Sequence, residues 1–168
     1  MDNLEEKIAL QVKRLAERMQ HKGWSMACAE SCTGGLLAKS CTDLSGSSRW
    51  FECAYVTYNN EAKSAMLGVP PQLIQDYGAV SEQVAAAMVK GVLEKAGVDL
   101  AVSITGIAGP DGGTPEKPVG TVCFGFAIRG GEIESVTRLF NGDRNLIRQQ
   151  SVLFALDKLL NINRSVGD

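Results

Sequence analysis

The sequence predicts a single α/β domain over residues 1–168, a three-layer α/β/α fold with a mixed five-stranded sheet between two layers of helices. Three observations support this fold class. Five runs rich in apolar and β-branched residues alternate with amphipathic helical segments. The run Leu100–Ile104 is nearly all apolar, as expected for a strand covered by helices on both faces. Gly130-Gly131 predicts a hairpin between the last two runs, so the sheet contains an antiparallel pair.

The first half of the chain is predicted to alternate helices with two strands. An apolar stripe at helical spacing predicts a first helix, which Asp2 or Asn3 can cap and which Gly23 ends. Aromatic and β-branched runs predict the strands, and Pro, Asn and Gly mark the ends of short helices. The next elements are a strand over Trp24–Ala29, a helix over Thr33–Asp43, a strand over Arg49–Tyr58, and short helices ending at Leu67 and near Tyr77.

The second half is predicted to hold two long helices and the rest of the sheet. Ser81 is an N-cap for a helix over Glu82–Lys95. Three strands are predicted, over Leu100–Ile104, Val119–Ile128 and Ile133–Phe140. A final helix begins near Arg144 and ends near Leu160, and the tail after Asn161 is expected to be frayed.

Composition excludes several classes of function. A net charge of −2 provides no strong basic field for nucleic acid, and no apolar run reaches the length of a membrane span. The acidic start of the chain lacks the apolar core of a signal peptide. Five cysteines without a C-x-x-C pair, together with one histidine, make a metal site unexpected. Mostly buried, reduced thiols in a cytoplasmic protein are the natural expectation.

The stretch Ala29–Gly35 has the clearest potential for chemistry. A strand, a tight turn that carries Ser31 and a helix expose a hydroxyl and free backbone N–H groups, so the turn can hold a nucleophile, an anion or both. An ordinary helix N-cap is the alternative interpretation of this pattern. Ligands bind such sheets at the carboxyl ends of strands. We therefore expect the site to include residues 29–35, residues 105–113, and either 45–48 or 58–63, depending on the direction of the second strand.

A lysine is the best candidate for the base that would activate Ser31. The only histidine, His21, ends the first helix, a whole strand away from Ser31, so a Ser-His-Asp triad is excluded. Lys63 lies where a strand meets a short helix and can act as a base if burial lowers its pKa. Tyr58 ends that strand and can relay a proton. A solvated helix lysine remains the alternative for Lys63.

Anion binding is predicted from two further features. The glycine-rich loop Thr105–Gly113 frees backbone amides that can hold a phosphate or an oxyanion, although it does not match a nucleoside-triphosphate P-loop. Arg144 and Arg148 share one face near the start of the last helix, where the helix dipole does not favour arginine. A ligand anion or a carboxylate partner would explain them. A mobile surface loop and ordinary surface arginines are the alternatives.

Taken together, the ordered motifs strongly resemble the CinA C-terminal domain family over about residues 5–160. The motifs are Ala29–Gly35, Ser45–Ser48, Val56–Lys63, Gly78–Ser81, Ser103–Gly113, Lys117–Val122 and Gly142–Arg144. The resemblance implies a three-layer α/β/α fold, homodimers, and hydrolysis of nicotinamide mononucleotide to nicotinate mononucleotide and ammonia. It also implies a Ser/Lys mechanism without metal or other cofactor. Nothing in these residues indicates a nucleic-acid or membrane partner.

The resemblance also assigns candidate residues. The motif serine is Ser31, the motif tyrosine and lysine are Tyr58 and Lys63, and Ser48 belongs near the same pocket. Either serine can be the nucleophile, and the turn favours Ser31. The expected substrate-binding residues are Thr33, Gly34, Gly35, Thr105, Gly106, Gly109 and Arg144. Two other functions stay open: a Ser/Lys amidase that acts on a different amide, and a nucleotide-sensing module without turnover. Ammonia release from nicotinamide mononucleotide distinguishes the three.

Overall fold

A computed structural model describes residues 3–162 of the chain, and the predicted frayed tail lies, from residue 163, outside them. Six helices and five strands alternate much as expected. The helices are α1 (Leu4–Lys22), α2 (Leu36–Thr42), α3 (Asn60–Leu67), α4 (Pro71–Tyr77), α5 (Glu82–Ala96) and α6 (Arg144–Asn161). The strands are β1 (Met26–Glu30), β2 (Phe51–Val56), β3 (Leu100–Gly106), β4 (Thr121–Ile128) and β5 (Ile133–Leu139). Asn3 caps α1 by accepting a hydrogen bond from the backbone of Glu5.

The sheet is mixed and has the order β2-β1-β3-β4-β5. Strand β1 is parallel to β2 and to β3, whereas β4 is antiparallel to both β3 and β5. Helices α1, α2 and α6 pack on one face, and α3, α4 and α5 pack on the other. The predicted three-layer fold and the hairpin at Gly130-Gly131 are confirmed. In the described part of the chain, no helix has the length and apolar character of a membrane span.

The two faces of the sheet are packed differently. The face under α1 and α6 carries large side chains such as Phe124 and Phe126, which form part of an apolar core. The face under α5 carries small residues, and this allows α5 to lie close to the sheet. These small residues are Ala27, Ala29, Ala101, Gly125 and Ala127. A Cβ atom at Gly125 would lie 2.5 Å from the carbonyl oxygen of Ala85 in α5, so the close approach requires glycine there.

Helix α3 is held against α5 by a second close contact. A Cβ atom at Gly91 of α5 would lie 2.2 Å from the carbonyl oxygen of Leu67, the last residue of α3. Leu67 itself is buried, and Gly68 ends the helix in a left-handed conformation. Helix α3 therefore has a fixed position above the carboxyl ends of the parallel strands, where Lys63 emerges from it.

Several predicted boundaries are shifted by a few residues, and three of the shifts have a clear local reason. Helix α2 begins at Leu36 instead of Thr33, because Gly34 and Gly35 adopt positive φ values of 57° and 99° in the turn before it. Strand β3 continues to Gly106, which pairs with Val122 of β4. Strand β2 begins only at Phe51, since residues Ser47–Arg49 form a 3₁₀ turn.

Candidate active site

The carboxyl ends of the parallel strands meet at one edge of the sheet and form a cavity of about 280 Å³ there. The turn after β1 contributes Ser31, the segment after β2 contributes Tyr58, and the loop after β3 contributes residues 107–112. Six of the predicted site residues line the cavity: Ser31, Tyr58, Lys63, Gly106, Gly109 and Arg144. Because β2 is parallel to β1, the third loop at this edge is 58–63 rather than 45–48.

Ser31 and Lys63 form a buried pair at the bottom of this cavity. The distance between Lys63 Nζ and Ser31 Oγ is 3.1 Å, within hydrogen-bond reach. Lys63 Nζ also donates to the carbonyl oxygen of Thr57 at 2.8 Å, which fixes the amine beside the hydroxyl. Only 1% of Lys63 is exposed, so the alternative of a solvated helix lysine is wrong.

The surroundings of Lys63 favour its neutral form. Burial lowers the pKa of Lys63 below its ordinary value, and the nearby Cys32 opposes this effect only in part. Among residues 3–162, no carboxylate forms an ion pair with Lys63 that would hold its charge. A neutral amine next to a serine hydroxyl is the arrangement of a general base and a nucleophile.

Cys32 follows Ser31 and also lines the cavity, but its thiol is a poor nucleophile. Burial and the charge of Glu30 raise the pKa of Cys32 to about 12. Because the thiolate is the reactive form of cysteine, Cys32 stays inert near neutral pH. A Cβ atom at Gly106 would lie 3.1 Å from Cys32 Sγ, so glycine at the end of β3 makes room for this side chain.

Glu30 stabilises the turn, and sequence reasoning missed this role. Its carboxylate is fully buried and accepts hydrogen bonds from the backbone N–H groups of Leu37 and Ala38, at 2.9 and 3.0 Å. It therefore caps α2 from the residue just before Ser31 and fixes the turn. The same contacts occupy N–H groups at the start of α2, so this helix does not offer them to a substrate anion.

Four expected substrate contacts do not line the cavity. Thr33 is buried, and its carbonyl oxygen accepts a hydrogen bond from Arg148 Nη2 at 2.9 Å. Gly34 lies beside the same guanidinium, and Gly35 lies next to Val56. Thr105 is buried and donates to the carbonyl oxygen of Ala79 at 2.9 Å. These four residues belong to the turn and to strand β3 and do not line the cavity. Arg148 stabilises the turn through its hydrogen bond to Thr33.

Ser48 lies at the opposite end of the parallel strands and does not line the cavity, so within one chain the structure does not bring it to the predicted pocket. It belongs to the exposed 3₁₀ turn Ser47–Arg49, which precedes β2, whereas Ser31 follows β1. Since the two strands are parallel, the full length of a strand separates the two serines. Within the chain, Ser31 is therefore the serine that meets Lys63.

Arg144 closes the cavity on the side of α6. Its Nη1 donates to the carbonyl oxygen of Gly109 at 2.7 Å, and its Nη2 donates to the Tyr58 hydroxyl at 2.8 Å. Both partners are neutral, so the positive charge of Arg144 is not paired by either. The Tyr58 hydroxyl thus contacts Arg144, whereas the Tyr58 carbonyl oxygen lies 3.5 Å from Ser31 Oγ. The structure shows no hydrogen bond that would make this hydroxyl a proton relay to Ser31 or Lys63.

The glycine-rich loop supplies the remaining wall. Ala108 and Gly109 are buried, and their backbone N–H groups make no hydrogen bond within residues 3–162. Asp111 also lines the cavity, and neither it nor Asn60 was singled out from the sequence. No group of three or more His, Cys, Asp or Glu side chains in residues 3–162 is arranged to hold a metal ion. His21 is in the last turn of α1, far from Ser31 in the fold.

Comparison with known proteins places this arrangement in a family. The profile of the CinA C-terminal domain matches residues 8–162. The nicotinamide-nucleotide amidohydrolase PncC of Enterobacter agglomerans is 54% identical over 142 residues, which cover 84% of this chain and 87% of that protein. PncC of Escherichia coli is 49% identical over 147 residues, with coverage of 88% and 89%.

A solved structure agrees with this match. The competence/damage inducible protein CihA from Agrobacterium tumefaciens has 39% sequence identity and a TM-score of 0.90, and the alignment covers 94% of this chain and 96% of that one. The profile match spans nearly the whole chain, and the sequence relatives are matched over most of their own length. The chain belongs to the CinA C-terminal domain family.

Proposed function

We propose that this chain hydrolyses the carboxamide of nicotinamide mononucleotide and releases nicotinate mononucleotide and ammonia. The observation that carries the proposal is the buried pair of Ser31 and Lys63, 3.1 Å apart, at the bottom of a cavity. Two relatives about half identical in sequence bear the name nicotinamide-nucleotide amidohydrolase, which agrees with hydrolysis of this amide.

The proposed reaction proceeds in two halves through an acyl-enzyme. Neutral Lys63 Nζ takes the proton from Ser31 Oγ, which attacks the carboxamide carbon and forms a tetrahedral intermediate. As the C–N bond breaks, the Lys63 ammonium returns this proton to the leaving nitrogen, and ammonia departs. Lys63 then deprotonates a water molecule, which attacks the ester, and the Lys63 ammonium returns that proton to Ser31 as Ser31 leaves. The carboxylic acid formed loses its remaining proton to solvent, and the carboxylate is released.

The negative oxygen of the tetrahedral intermediate needs hydrogen-bond donors. Ala108 and Gly109 line the cavity, and their backbone N–H groups have no hydrogen-bond partner within residues 3–162, so we assign this role to them. They belong to the loop after β3, which packs closely against Val119. A Cβ atom at Gly109 would lie 2.5 Å from Val119 Cγ1, and one at Gly113 would lie 2.7 Å from the backbone nitrogen of Val119. Because these donors are backbone N–H groups, a change of side chain at residue 108 does not remove them.

We propose that Arg144 binds the phosphate of the substrate. It lines the same cavity as Ser31, and its two hydrogen-bond partners are both neutral. Arg144→Ala is therefore expected to raise KM for nicotinamide mononucleotide by about tenfold or more, because a charge-assisted hydrogen bond is lost. The turnover number should change less, since the phosphate does not react.

Nicotinamide riboside, which lacks the phosphate, is the control substrate for Arg144. The KM of the riboside should be nearly the same for wild type and Arg144→Ala. If the variant still prefers the nucleotide to the riboside as strongly as wild type does, another group binds the phosphate.

The direct test of the proposed function is ammonia release by the purified chain. We expect stoichiometric ammonia and nicotinate mononucleotide from nicotinamide mononucleotide, and equal rates before and after dialysis against a chelator. Binding of the nucleotide without ammonia release would identify a sensing module instead. Faster hydrolysis of an unrelated amide would identify a different amidase, and a rate restored only by added zinc or magnesium would contradict the metal-free mechanism.

The cellular setting is also a proposal. The five cysteines of the chain are free thiols, and all except Cys53 are buried, which agrees with the reducing cytoplasm. We propose that the chain works there as a homodimer in the recycling of pyridine nucleotides, with nicotinamide mononucleotide as its small-molecule partner. Sedimentation of the purified protein tests the dimer.

A further inference from the structure

Tyr58 lines the cavity, and its side chain is largely exposed although its hydroxyl is hydrogen-bonded. One end of the residue is at the nucleophile, because its carbonyl oxygen lies 3.5 Å from Ser31 Oγ. The other end is at α6, because its hydroxyl accepts a hydrogen bond from Arg144 Nη2 at 2.8 Å. The residue lines the cavity and is 61% exposed, so much of its aromatic surface has no protein neighbour. An exposed aromatic ring whose hydroxyl is bound by Arg144 is suited to bind another flat group.

The substrate of the proposed reaction presents a flat, positively charged group at this position. In nicotinamide mononucleotide the carboxamide is attached directly to a pyridinium ring. When the carboxamide carbon is in contact with Ser31 Oγ, the ring is one bond away from that carbon and within the cavity that Ser31 and Tyr58 both line. A cation within about 6 Å of an aromatic centroid is attracted to the negative face of the ring.

The charged side chains of the cavity do not provide another binding surface for a cation next to Ser31. Lys63 is buried, and its amine is bound to Ser31 Oγ and to the carbonyl oxygen of Thr57. The guanidinium of Arg144 is bound to Gly109 and to the Tyr58 hydroxyl, at the end of the ring away from Ser31. Asp111 is the acidic side chain among the cavity residues, and it comes from the exposed loop after β3. The aromatic face is therefore the surface next to the nucleophile that can receive the charge of the substrate ring.

We propose that Tyr58 determines specificity, and that its ring face binds the cationic pyridinium ring of the substrate and selects it over neutral aromatic amides. This inference rests on the proposed function. The bond between the Tyr58 hydroxyl and Arg144 only helps to orient the ring, and the aromatic face itself gives the selectivity. Phenylalanine at this position should keep the selectivity, and leucine, which fills similar space without an aromatic face, should lose it.

The test compares two ligands on three proteins. The ligands are nicotinamide mononucleotide and its neutral isostere, in which a phenyl ring bears the carboxamide and is linked through carbon to the same ribose 5′-phosphate. The proteins are wild type, Tyr58→Phe and Tyr58→Leu. For each, the ratio of kcat/KM for the two ligands is measured. We expect Tyr58→Leu to lower the preference for the charged ring by about 3- to 30-fold, and Tyr58→Phe to change it by less than about threefold.

Two outcomes would overturn the inference. Equal loss of activity on both ligands in Tyr58→Leu would assign Tyr58 a general structural role, and equal loss of preference in both variants would assign the selectivity to the hydroxyl. Binding measured by calorimetry in a Ser31→Ala background decides the question even without turnover. A wild-type protein that releases no ammonia refutes the proposed function, whereas the ratio of the two dissociation constants, with and without Tyr58→Leu, still tests the aromatic face.

Discussion

Ser31→Ala is expected to lower the turnover of nicotinamide mononucleotide by roughly a thousandfold or more, because removal of a nucleophile eliminates the covalent route. Substrate binding should change little, since the hydroxyl takes part mainly in the chemical step. Calorimetry should therefore give a dissociation constant for the substrate within about threefold of the wild-type KM, provided that chemistry is slow relative to substrate release.

Ser48→Ala is the matched control for this experiment. It removes the same hydroxyl from an exposed turn at the opposite edge of the sheet and should leave activity unchanged. An inactive Ser48→Ala together with an active Ser31→Ala would transfer the role of nucleophile to Ser48. Because a full strand separates Ser48 from Lys63 within one chain, that result would also require a second chain to complete the site.

Replacement of Lys63 by arginine is expected to inactivate the enzyme nearly as fully as replacement by alanine. A guanidinium stays protonated in proteins and cannot accept the proton of Ser31. Lys63→Met, which keeps the length of the side chain without the amine, distinguishes loss of the base from loss of packing. Lys39→Arg is the control, since Lys39 is an exposed lysine that pairs with Asp43. Substantial activity in Lys63→Arg would reduce Lys63 to a binding group.

The pH dependence of wild type gives a second test of Lys63. The base acts only when it is neutral, so kcat/KM should be low at acidic pH and should rise about tenfold per pH unit towards the pKa of Lys63. Above that pKa the rate should reach a plateau. Burial lowers the pKa of Lys63, so the plateau should begin below the ordinary lysine value of about 10.4. A flat profile from acidic to alkaline pH would contradict a lysine base.

The arrangement of strands and helices was predictable from local patterns, but the hydrogen bonds that stabilise the turn after β1 were not. The apolar run of β3 and the glycine pair between β4 and β5 indicate a mixed, doubly covered sheet without any tertiary information. The turn depends on Glu30 and Arg148, whose partners are Leu37, Ala38 and Thr33. A buried carboxylate that caps the next helix has the same sequence pattern as an ordinary exposed acid, so the sequence alone does not distinguish them.

The candidate site was predictable where a chemical requirement restricted the choice. The position of the only histidine excluded a triad and directed attention to Lys63, which the structure places 3.1 Å from Ser31. Ser48, which the resemblance placed near the pocket, does not reach it within one chain, because hydrogen bonds between distant segments set the direction of β2 relative to β1. Thr105 was misassigned for a similar reason, since its partner is the carbonyl oxygen of Ala79.

The close contact between Gly91 and Leu67 has a consequence for protein engineering. Alanine in place of a helical glycine usually raises stability, by about 1 kcal/mol, and design procedures make this change routinely. At residue 91 the added methyl group would meet the carbonyl oxygen at the end of α3, one turn of helix from Lys63. Relief of that clash would move the helix that carries the proposed base. Residue 91 is therefore one that a thermostabilised variant of this enzyme should leave unchanged.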